Sequence, residues 1–235
     1  MNVRPQQLYR QEFRQRILAE RPQSVLEVGC RDGKCLQELL AAGVHAEGIE
    51  VDPAHVAELR ARGLCVHAAK GETLPFAAGA FDLVVSEYCA HHFADLTHHL
   101  AEAMRVARRG VFLLDPWYDL SIPSQQLAER WDRWFKAIDR AAGKVHHDSL
   151  AAQHFRGAMP NGSRWSFECR HVLHLVAVDD AKFASENEPY LAQVATRPDD
   201  LAELQAITAA RAQSGLTDDG AIMVLLRAAG STCSP

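Results

Sequence analysis

The stretch VLEVGCRDGKCLQELL, residues 25–40, joins an apolar run, a glycine turn and an amphipathic segment. This order predicts a buried strand, a tight loop and a helix, which bring backbone N–H groups and a helix N-terminus to one ligand. The loop reads Gly29-Cys30-Arg31-Asp32-Gly33, so an arginine stands where a nucleotide-binding loop commonly has a glycine. The stretch therefore predicts a ligand-binding strand-loop-helix unit with an altered loop.

The composition of the 235 residues is that of an ordinary globular domain, with 48% hydrophobic and 23% charged residues. The net charge of −5 provides no basic footprint for nucleic acid. No apolar run approaches the ~20 residues that cross a bilayer, and the polar N-terminus lacks the apolar core of a signal peptide. We therefore expect a cytoplasmic monomer or homodimer without nucleic-acid or membrane partners.

The cysteines and histidines give no clear metal-binding spacing. The six cysteines form no C-x-x-C pair, which favours free thiols. They are Cys30, Cys35, Cys65, Cys89, Cys169 and Cys233. Adjacent histidines on a helix, such as His91-His92, point about 100° apart and rarely share one ion, because a helical site needs spacings of three or four. We therefore expect no metal.

Strand-like apolar runs alternate with helix-like patterns, which favours a parallel sheet with helices on both faces. The expected strands are 24–28, 45–50, 64–68, 81–86, 110–115, 171–178 and 221–227. The expected helices are 6–20, 33–42, 53–62, 95–107, 127–142 and 201–213. We expect a single domain over 1–235, in which 1–22 form an N-terminal cap helix and 117–165 a separate aromatic segment.

Two features beyond the glycine loop indicate the ligand. Glu50 ends the second expected strand, where an acid can accept both hydroxyls of a ribose. The stretch GETLPF, residues 71–76, then leads into the fourth strand. A dinucleotide-binding site would instead need the spacing G-x-G-x-x-G, which Gly29-x-x-x-Gly33 does not supply.

Four segments in this order resemble the class I S-adenosylmethionine-dependent methyltransferases of the small-molecule type. They are VLEVGCRDGKCLQELL, GIEVDP, GETLPFAAGAFDLVVSEYCAHHF and EAMRVARRGVFLLD, within residues 24 to 116. The resemblance implies a Rossmann-like seven-stranded sheet, mostly parallel with the last strand antiparallel, and S-adenosylmethionine as cofactor. With the aromatic segment as a lid insert after strand five, this is the expected α/β fold. The motifs are specific to fold and cofactor but not to a substrate.

Carried over residue by residue, the resemblance assigns parts of the cofactor to residues of this chain. The methionine part would lie on Glu27, Gly29, Cys30 and Gly33 and would face Ser86 and Glu87. The ribose would be held by Glu50, and the adenine would pack on Val51 along Gly71 and Glu72.

Two residues depart from the family pattern. Arg31 replaces the middle loop glycine, but this cofactor has no phosphate, so the steric demand is softer. Its side chain would either turn to solvent or reach the methionine carboxylate through charge-assisted hydrogen bonds. Lys70 stands where the family often has an aspartate that contacts the adenine amino group. Either backbone groups of 69–72 replace that contact, or adenine recognition is weaker.

Candidates for assisting the chemistry follow the fourth strand. Tyr88, His91 and His92 lie there, and a histidine with a pKa near neutrality can take a proton from an amine or hydroxyl. Either histidine could instead pack under or cap the next helix. Tyr9, on the N-terminal helix, would either stack on the sulfonium by cation–π attraction or pack on the domain.

Residues 117–165 hold all four tryptophans, Trp117, Trp131, Trp134 and Trp165. This segment leaves the sheet at the carboxyl ends of the strands, where ligands bind in open α/β sheets. It is either an apolar cluster under a long connection or an aromatic lid over the substrate. As a lid, it would contact the substrate through Trp117, Tyr118, Trp134 and His147.

Three functions remain open at this point. The resemblance favours transfer of the S-adenosylmethionine methyl group to an N, O or C nucleophile of a small molecule, by positioned in-line attack. The same cofactor would instead cyclise to azetidine-2-carboxylate and methylthioadenosine if its own amine attacked its γ-carbon. The third possibility is a regulatory protein that binds the cofactor without turnover.

Overall fold

Seven strands form one sheet in the computed structural model, which describes residues 4–230. They are β1 Ser24–Val28, β2 His45–Glu50, β3 Val66–Ala68, β4 Phe81–Glu87, β5 Ala107–Trp117, β6 Trp165–Val172 and β7 Gly220–Ala228. Their order is β3-β2-β1-β4-β5-β7-β6. The first five strands pair in parallel and β7 is antiparallel to both of its neighbours. The predicted fold class is confirmed.

Helices cover both faces of this sheet. They are α1 Pro5–Ala19, α2 Lys34–Ala41, α3 Pro53–Ala61, α4 Leu96–Val106, α5 Pro123–Ala141, α6 Ala152–Ala158, α7 Asp180–Val194 and α8 Pro198–Ser214. Proline opens α1, α3, α5 and α8, where its fixed φ suits the first turn and its missing N–H costs nothing. A short 3₁₀ helix, Ala90–His92, follows β4.

The buried side chains form three clusters. One lies between the sheet and α1 to α3, and includes Tyr9 and Phe13. The second lies on the other face under α4 and α6. The third joins α5, α7 and α8 through Trp131, Trp134 and Phe183, beyond the carboxyl ends of the strands. The tryptophans of α5 are therefore largely core residues of a helical cluster.

The predicted strand over 171–178 is wrong. Strand β6 covers Trp165–Val172, where half-buried Trp165, Phe167 and Cys169 alternate with exposed residues, as the edge position requires. The prediction followed the continuous apolar run HVLHLVAV and overlooked this two-residue period. Helix α7, which begins beyond that run at Asp180, was not predicted either. Helix α6 was also not predicted.

Residues 1–3 of the predicted cap helix and Cys233 lie outside the described residues. The five cysteines within residues 4–230 are free. In that same range, no helix has the length and apolar character needed to cross a membrane.

Candidate functional site

The loop after β1 is tightly packed and strained. Gly29 has φ 81°, and a Cβ there would lie 2.3 Å from the Cys89 sulfur, so only glycine fits. Gly33 has φ 70° and caps α2. Arg31 also has a positive φ, 29°, where glycine would be unstrained, and its side chain is exposed. The arginine thus keeps the glycine-like backbone and turns its side chain outward.

Glu50 connects this loop to the end of β2. Its carboxylate accepts N–H bonds from Arg31 at 3.0 Å, from Val51 at 2.8 Å and from Asp52 at 3.0 Å. These backbone donors compensate the burial of the charge, since the residue is only 7% exposed. Val51 beside it is 64% exposed and presents an apolar surface.

Two buried carboxyl groups on neighbouring strands face α1. Glu87, at the end of β4, accepts from Arg14 Nε at 2.7 Å and from an Arg10 nitrogen at 2.8 Å. Glu27, at the end of β1, has a buried Oε2 without a hydrogen-bond partner in the described part of the chain. Burial, and then the nearby charge of Glu87, raise the pKa of Glu27 well above its ordinary value.

A groove of about 530 Å³ runs beside this loop, between α1 and the first turn of α2. Its charged lining includes Arg10, Arg14, Asp32 and Lys34. The groove therefore offers both signs of charge next to the glycine loop.

The segment after β3 forms the opposite edge of the site. A Cβ on Gly71 would lie 2.4 Å from the Phe93 ring, and the carbonyl of Gly71 accepts from His99 Nδ1 at 2.9 Å. The Glu72 carboxylate accepts from Ala94 N at 2.6 Å, so it holds the segment before α4. Lys70 is exposed.

The buried donors and acceptors around the loop test whether S-adenosylmethionine fits. Ser86 Oγ, like Glu27 Oε2, is buried without a partner among residues 4–230, although such groups are normally hydrogen-bonded. Three carboxyl groups, of Glu27, Glu50 and Glu87, suit a ligand with cationic centres and ribose hydroxyls. The arginines of α1 suit its carboxylate. The set fits this cofactor.

His91 follows β4 as an oriented, buried imidazole. Its Nδ1 lies 2.8 Å from Asp115 Oδ1, and Asp115 is fully buried near the end of β5. A carboxylate at Nδ1 fixes the tautomer that leaves Nε2 with a lone pair. This geometry is that of a base held in place by an acid.

The two tyrosine candidates differ in position. Tyr88 has φ 52°, and the guanidinium of Arg10 lies 4.5 Å from its ring centre. Burial raises the pKa of Tyr88 well above its ordinary value. Tyr9 is fully buried; its hydroxyl accepts from His174 N at 2.8 Å, and its ring stacks on His174. Tyr9 therefore packs in the core beneath α1.

A cavity of about 200 Å³ opens beyond the carboxyl end of β5. Its aromatic wall consists of Tyr118, Trp131 and Phe135, and Gln6 of α1 closes one side. The cavity also carries four acidic residues and one lysine. They are Asp132, Glu186, Asp218, Asp219 and Lys182.

The acidic lining is only partly neutralised. Lys182 pairs with Asp218 and lies 3.7 Å from Glu186. Asp219 is hydrogen-bonded to Gln6, and burial in the cavity raises its pKa to about 7. The cavity thus favours a positively charged or proton-donating guest.

Of the four residues predicted to contact the substrate, the structure places Tyr118 in the cavity wall. Trp117 stacks on His171 at 4.2 Å, and Trp134 Nε1 donates to the Asp200 carbonyl at 2.8 Å. His147 Nε2 lies 3.0 Å from the Phe93 carbonyl. These three residues are not part of the cavity lining, although Trp134 and Tyr118 belong to the same hydrophobic cluster.

None of the acidic residues of the cavity is predicted from the sequence. A signal for Asp218 and Asp219 was present, because an antiparallel last strand begins at the edge where the parallel strands end. The two residues directly before Gly220 must therefore join the ligand-binding edge. Lys182 and Glu186 lie on α7, which was not predicted, so no signal placed them here.

Comparison with known proteins agrees with the geometry of the loop. A protein-family profile described as "Methyltransferase domain" matches residues 26–114. Ajmaline N-methyltransferase of Rauvolfia serpentina is 32% identical over 131 residues, which cover 51% of this chain and 45% of that protein. The chain thus spans about half of that relative's length.

YcgJ of Bacillus subtilis, named an uncharacterized methyltransferase, is similar in sequence and fold. It is 29% identical over 182 residues, covering 66% of this chain and 72% of YcgJ. Its crystal structure aligns with a TM-score of 0.59 and 16% identity, covering 92% of this chain and 98% of YcgJ. The structural likeness concerns the fold alone.

Proposed function

We propose that the chain is a class I S-adenosylmethionine-dependent methyltransferase and that it methylates a nucleophile of a small molecule. The methyltransferase-domain match over residues 26–114, the similarity to a named N-methyltransferase and the shared fold support this proposal. The observation that carries this proposal is the acid-lined cavity beyond β5. At about 200 Å³, it is smaller than the ~300–1,000 Å³ of pockets for drug-sized ligands. A compact acceptor therefore suits it.

The residues around the glycine loop hold the cofactor in this proposal. Glu50 takes the ribose hydroxyls, and the exposed Val51 packs on the adenine along Gly71. Glu27, Ser86 and Glu87 face the methionine end, where the cofactor carries its ammonium group. When bound, the cofactor supplies an electrophilic methyl group on a sulfonium.

The charge of the cavity favours an amine as the acceptor group. Asp219 attracts a cationic nitrogen, whereas Asp132 already pairs with the buried Lys136 at 2.7 Å. The faces of Trp131 and Phe135 stabilise the nitrogen further by cation–π attraction. One similar protein is by name an N-methyltransferase, which supports the same choice. Oxygen and carbon nucleophiles remain the alternatives to be compared with amines in the assay.

Most of the rate enhancement is proposed to come from holding the acceptor nucleophile in line with the methyl group. Tyr88 lies between the cofactor site and the cavity. It follows Glu87 directly, and the guanidinium of Arg10 lies over its ring. Helix α1 covers the cofactor site and the cavity and so excludes water from them. The helix is held in this position because Arg14 binds Glu87 and Gln6 binds Asp219. His91, oriented by Asp115, is the proposed acceptor of the departing proton, with Tyr88 as a neighbouring polar group. Tyr9 supports α1 from the core.

Cyclisation of the cofactor is the competing reaction. It needs a closed site without space for a second reactant, whereas the cavity beside the site provides that space. No observation on the protein favours this reaction over transfer.

The test is an incubation of the purified protein with S-adenosylmethionine, alone and with panels of small amines, alcohols and carbon acids. We expect S-adenosylhomocysteine and a methylated product by mass spectrometry when an amine is present. Asp219→Asn should raise KM for cationic amines more than for neutral alcohols. Methylthioadenosine released without an acceptor would contradict methyl transfer.

A further inference from the structure

Three histidines from two distant segments meet beside the end of β5. His91 and His92 belong to the 3₁₀ helix after β4, and His146 lies between α5 and α6. Their ring centres are 4.2 Å apart for His91 and His92, 4.4 Å for His92 and His146, and 5.2 Å for His91 and His146. One ring nitrogen of each lies within 4.8 Å of those of the other two.

Each of these rings is held through its Nδ1. His91 Nδ1 lies 2.8 Å from Asp115 Oδ1, His92 Nδ1 lies 3.1 Å from the Val145 carbonyl, and His146 Nδ1 lies 2.8 Å from Asp139 Oδ2. All three acceptors fix the tautomer with the lone pair on Nε2. Histidines that bind metals typically donate their other nitrogen to a carboxylate or carbonyl in this way.

From this convergence, we propose that His91, His92 and His146 bind a divalent transition-metal ion, for which Zn²⁺ is the best match. Neutral imidazoles suit zinc and its neighbours in the first transition row, and three of them leave a fourth position of the tetrahedron open. That position faces solvent, because His92 is exposed and His146 is half-buried.

The hydrogen bonds at Nδ1 are compatible with ligation. A neutral ring that donates through Nδ1 keeps its lone pair on Nε2, and a bound ion needs that lone pair.

The spacing of the histidines predicts no metal, because adjacent histidines on a helix point apart. The helix here is a single 3₁₀ turn that ends at Phe93 in extended backbone. The rings of His91 and His92 can therefore approach each other, and the third ligand comes from a segment more distant in sequence. Spacing alone could not show it.

A second group of possible ligands serves as an internal control. Glu47, Cys65 and His67 lie together at the edge of the sheet. His67 Nε2 lies 2.6 Å from Glu47 Oε2, and within residues 4–230 its Nδ1 has no hydrogen bond to an acid or a carbonyl. This cluster lacks the orienting contacts of the histidine triad.

An ion at the triad would occupy the nitrogen of His91 that is proposed to take the proton. Ion binding and proton transfer would then exclude each other. This consequence rests on the proposed function, whereas the ion binding does not.

The test is isothermal titration of the chelator-stripped protein with ZnCl₂, in the presence of a competing chelator, followed by Co²⁺ absorption spectra. The His67→Ala variant should bind one ion with the affinity of the triad site. In that background, His146→Ala should weaken binding by at least roughly tenfold, and Asp139→Asn by roughly 10–100-fold. His147→Ala, the matched neighbour, should leave the affinity unchanged.

Circular dichroism checks that each variant is folded. If His146→Ala fails to fold, the exposed His92→Ala provides the same comparison. Two results would overturn the proposal. One is equal affinity for Zn²⁺ in the His67→Ala protein and in a folded protein that also carries His146→Ala or His92→Ala. The other is loss of all Zn²⁺ binding in His67→Ala itself. Retention of cofactor binding in these variants shows that a failed metal test leaves the proposed function intact.

Discussion

Asp219 illustrates how one buried acid shapes the cavity. Its pKa is raised to about 7, mainly by burial and to a lesser extent by Asp132 and Asp218, while Gln6 and Lys182 oppose this shift. A carboxyl group whose pKa is raised by folding contributes full stability below its unfolded pKa of about 3.9, and this contribution is lost as pH rises to about 7. The acid therefore destabilises the protein without a ligand at neutral pH.

We predict that Asp219→Asn removes the pH dependence that this carboxyl group gives to the free energy of unfolding between about pH 4 and about pH 7. The free energy of unfolding of the variant, relative to the parent, should increase between about pH 4 and about pH 7, because asparagine does not ionise. Urea unfolding across this range measures it. Glu188→Gln, at an exposed position of α7, is the control. A difference between variant and parent that is independent of pH would contradict the assignment of Asp219.

The pair of Arg14 and Glu87 gives a second prediction at this scale. Both side chains are buried, and the guanidinium meets the carboxylate at 2.7 and 2.8 Å. Arg14→Met would leave a buried carboxylate with Arg10 as its remaining guanidinium, which should cost about 3–5 kcal/mol of unfolding free energy. Arg16→Met removes only a partly exposed pair with Glu12 and should cost less than about 1 kcal/mol. Equal losses in urea unfolding would show that the buried pair is not formed.

At the level of elements, helix α1 joins the cofactor site to the cavity. Arg14 binds Glu87 at the end of β4, and Gln6 binds Asp219 directly before β7. The ring of Tyr9 packs in the core. The spacing of apolar residues predicted this helix, whereas its ionic contacts with β4 could not be read from spacing. Those contacts depend on the register of strands that lie far apart in the sequence.

Two adjacent aromatic residues of α5 have different roles. Trp134 is buried away from the cavity and donates to the Asp200 carbonyl, while Phe135, one residue on, lines the cavity. Trp134→Phe should therefore lower the unfolding free energy by about 1–3 kcal/mol through the lost hydrogen bond, with KM for the acceptor unchanged. Phe135→Ala should raise KM. An increase in KM for Trp134→Phe equal to that of Phe135→Ala would contradict the separation.

For the molecule as a whole, the sequence reveals the sheet better than the site. Strands β1, β2, β4 and β7 are predicted closely because each is a buried run with a clear end. Strand β6 was misplaced, since an edge strand is only half-buried and its pattern is weaker. The cavity and the histidine triad were not foreseen, because their residues converge only after folding, from segments such as α5 and α7.

The central claim is that the glycine loop and Glu50 hold S-adenosylmethionine, and isothermal titration with this cofactor tests it most directly. We predict saturable binding by the parent protein, weakened by about 1–3 kcal/mol in Glu50→Ala, which loses the charge-assisted ribose contact. The exposed Glu58→Ala should bind like the parent, and thermal unfolding checks that Glu50→Ala is folded, since its carboxylate also holds the loop. Absence of binding by the parent, or unchanged affinity in folded Glu50→Ala, would contradict the account.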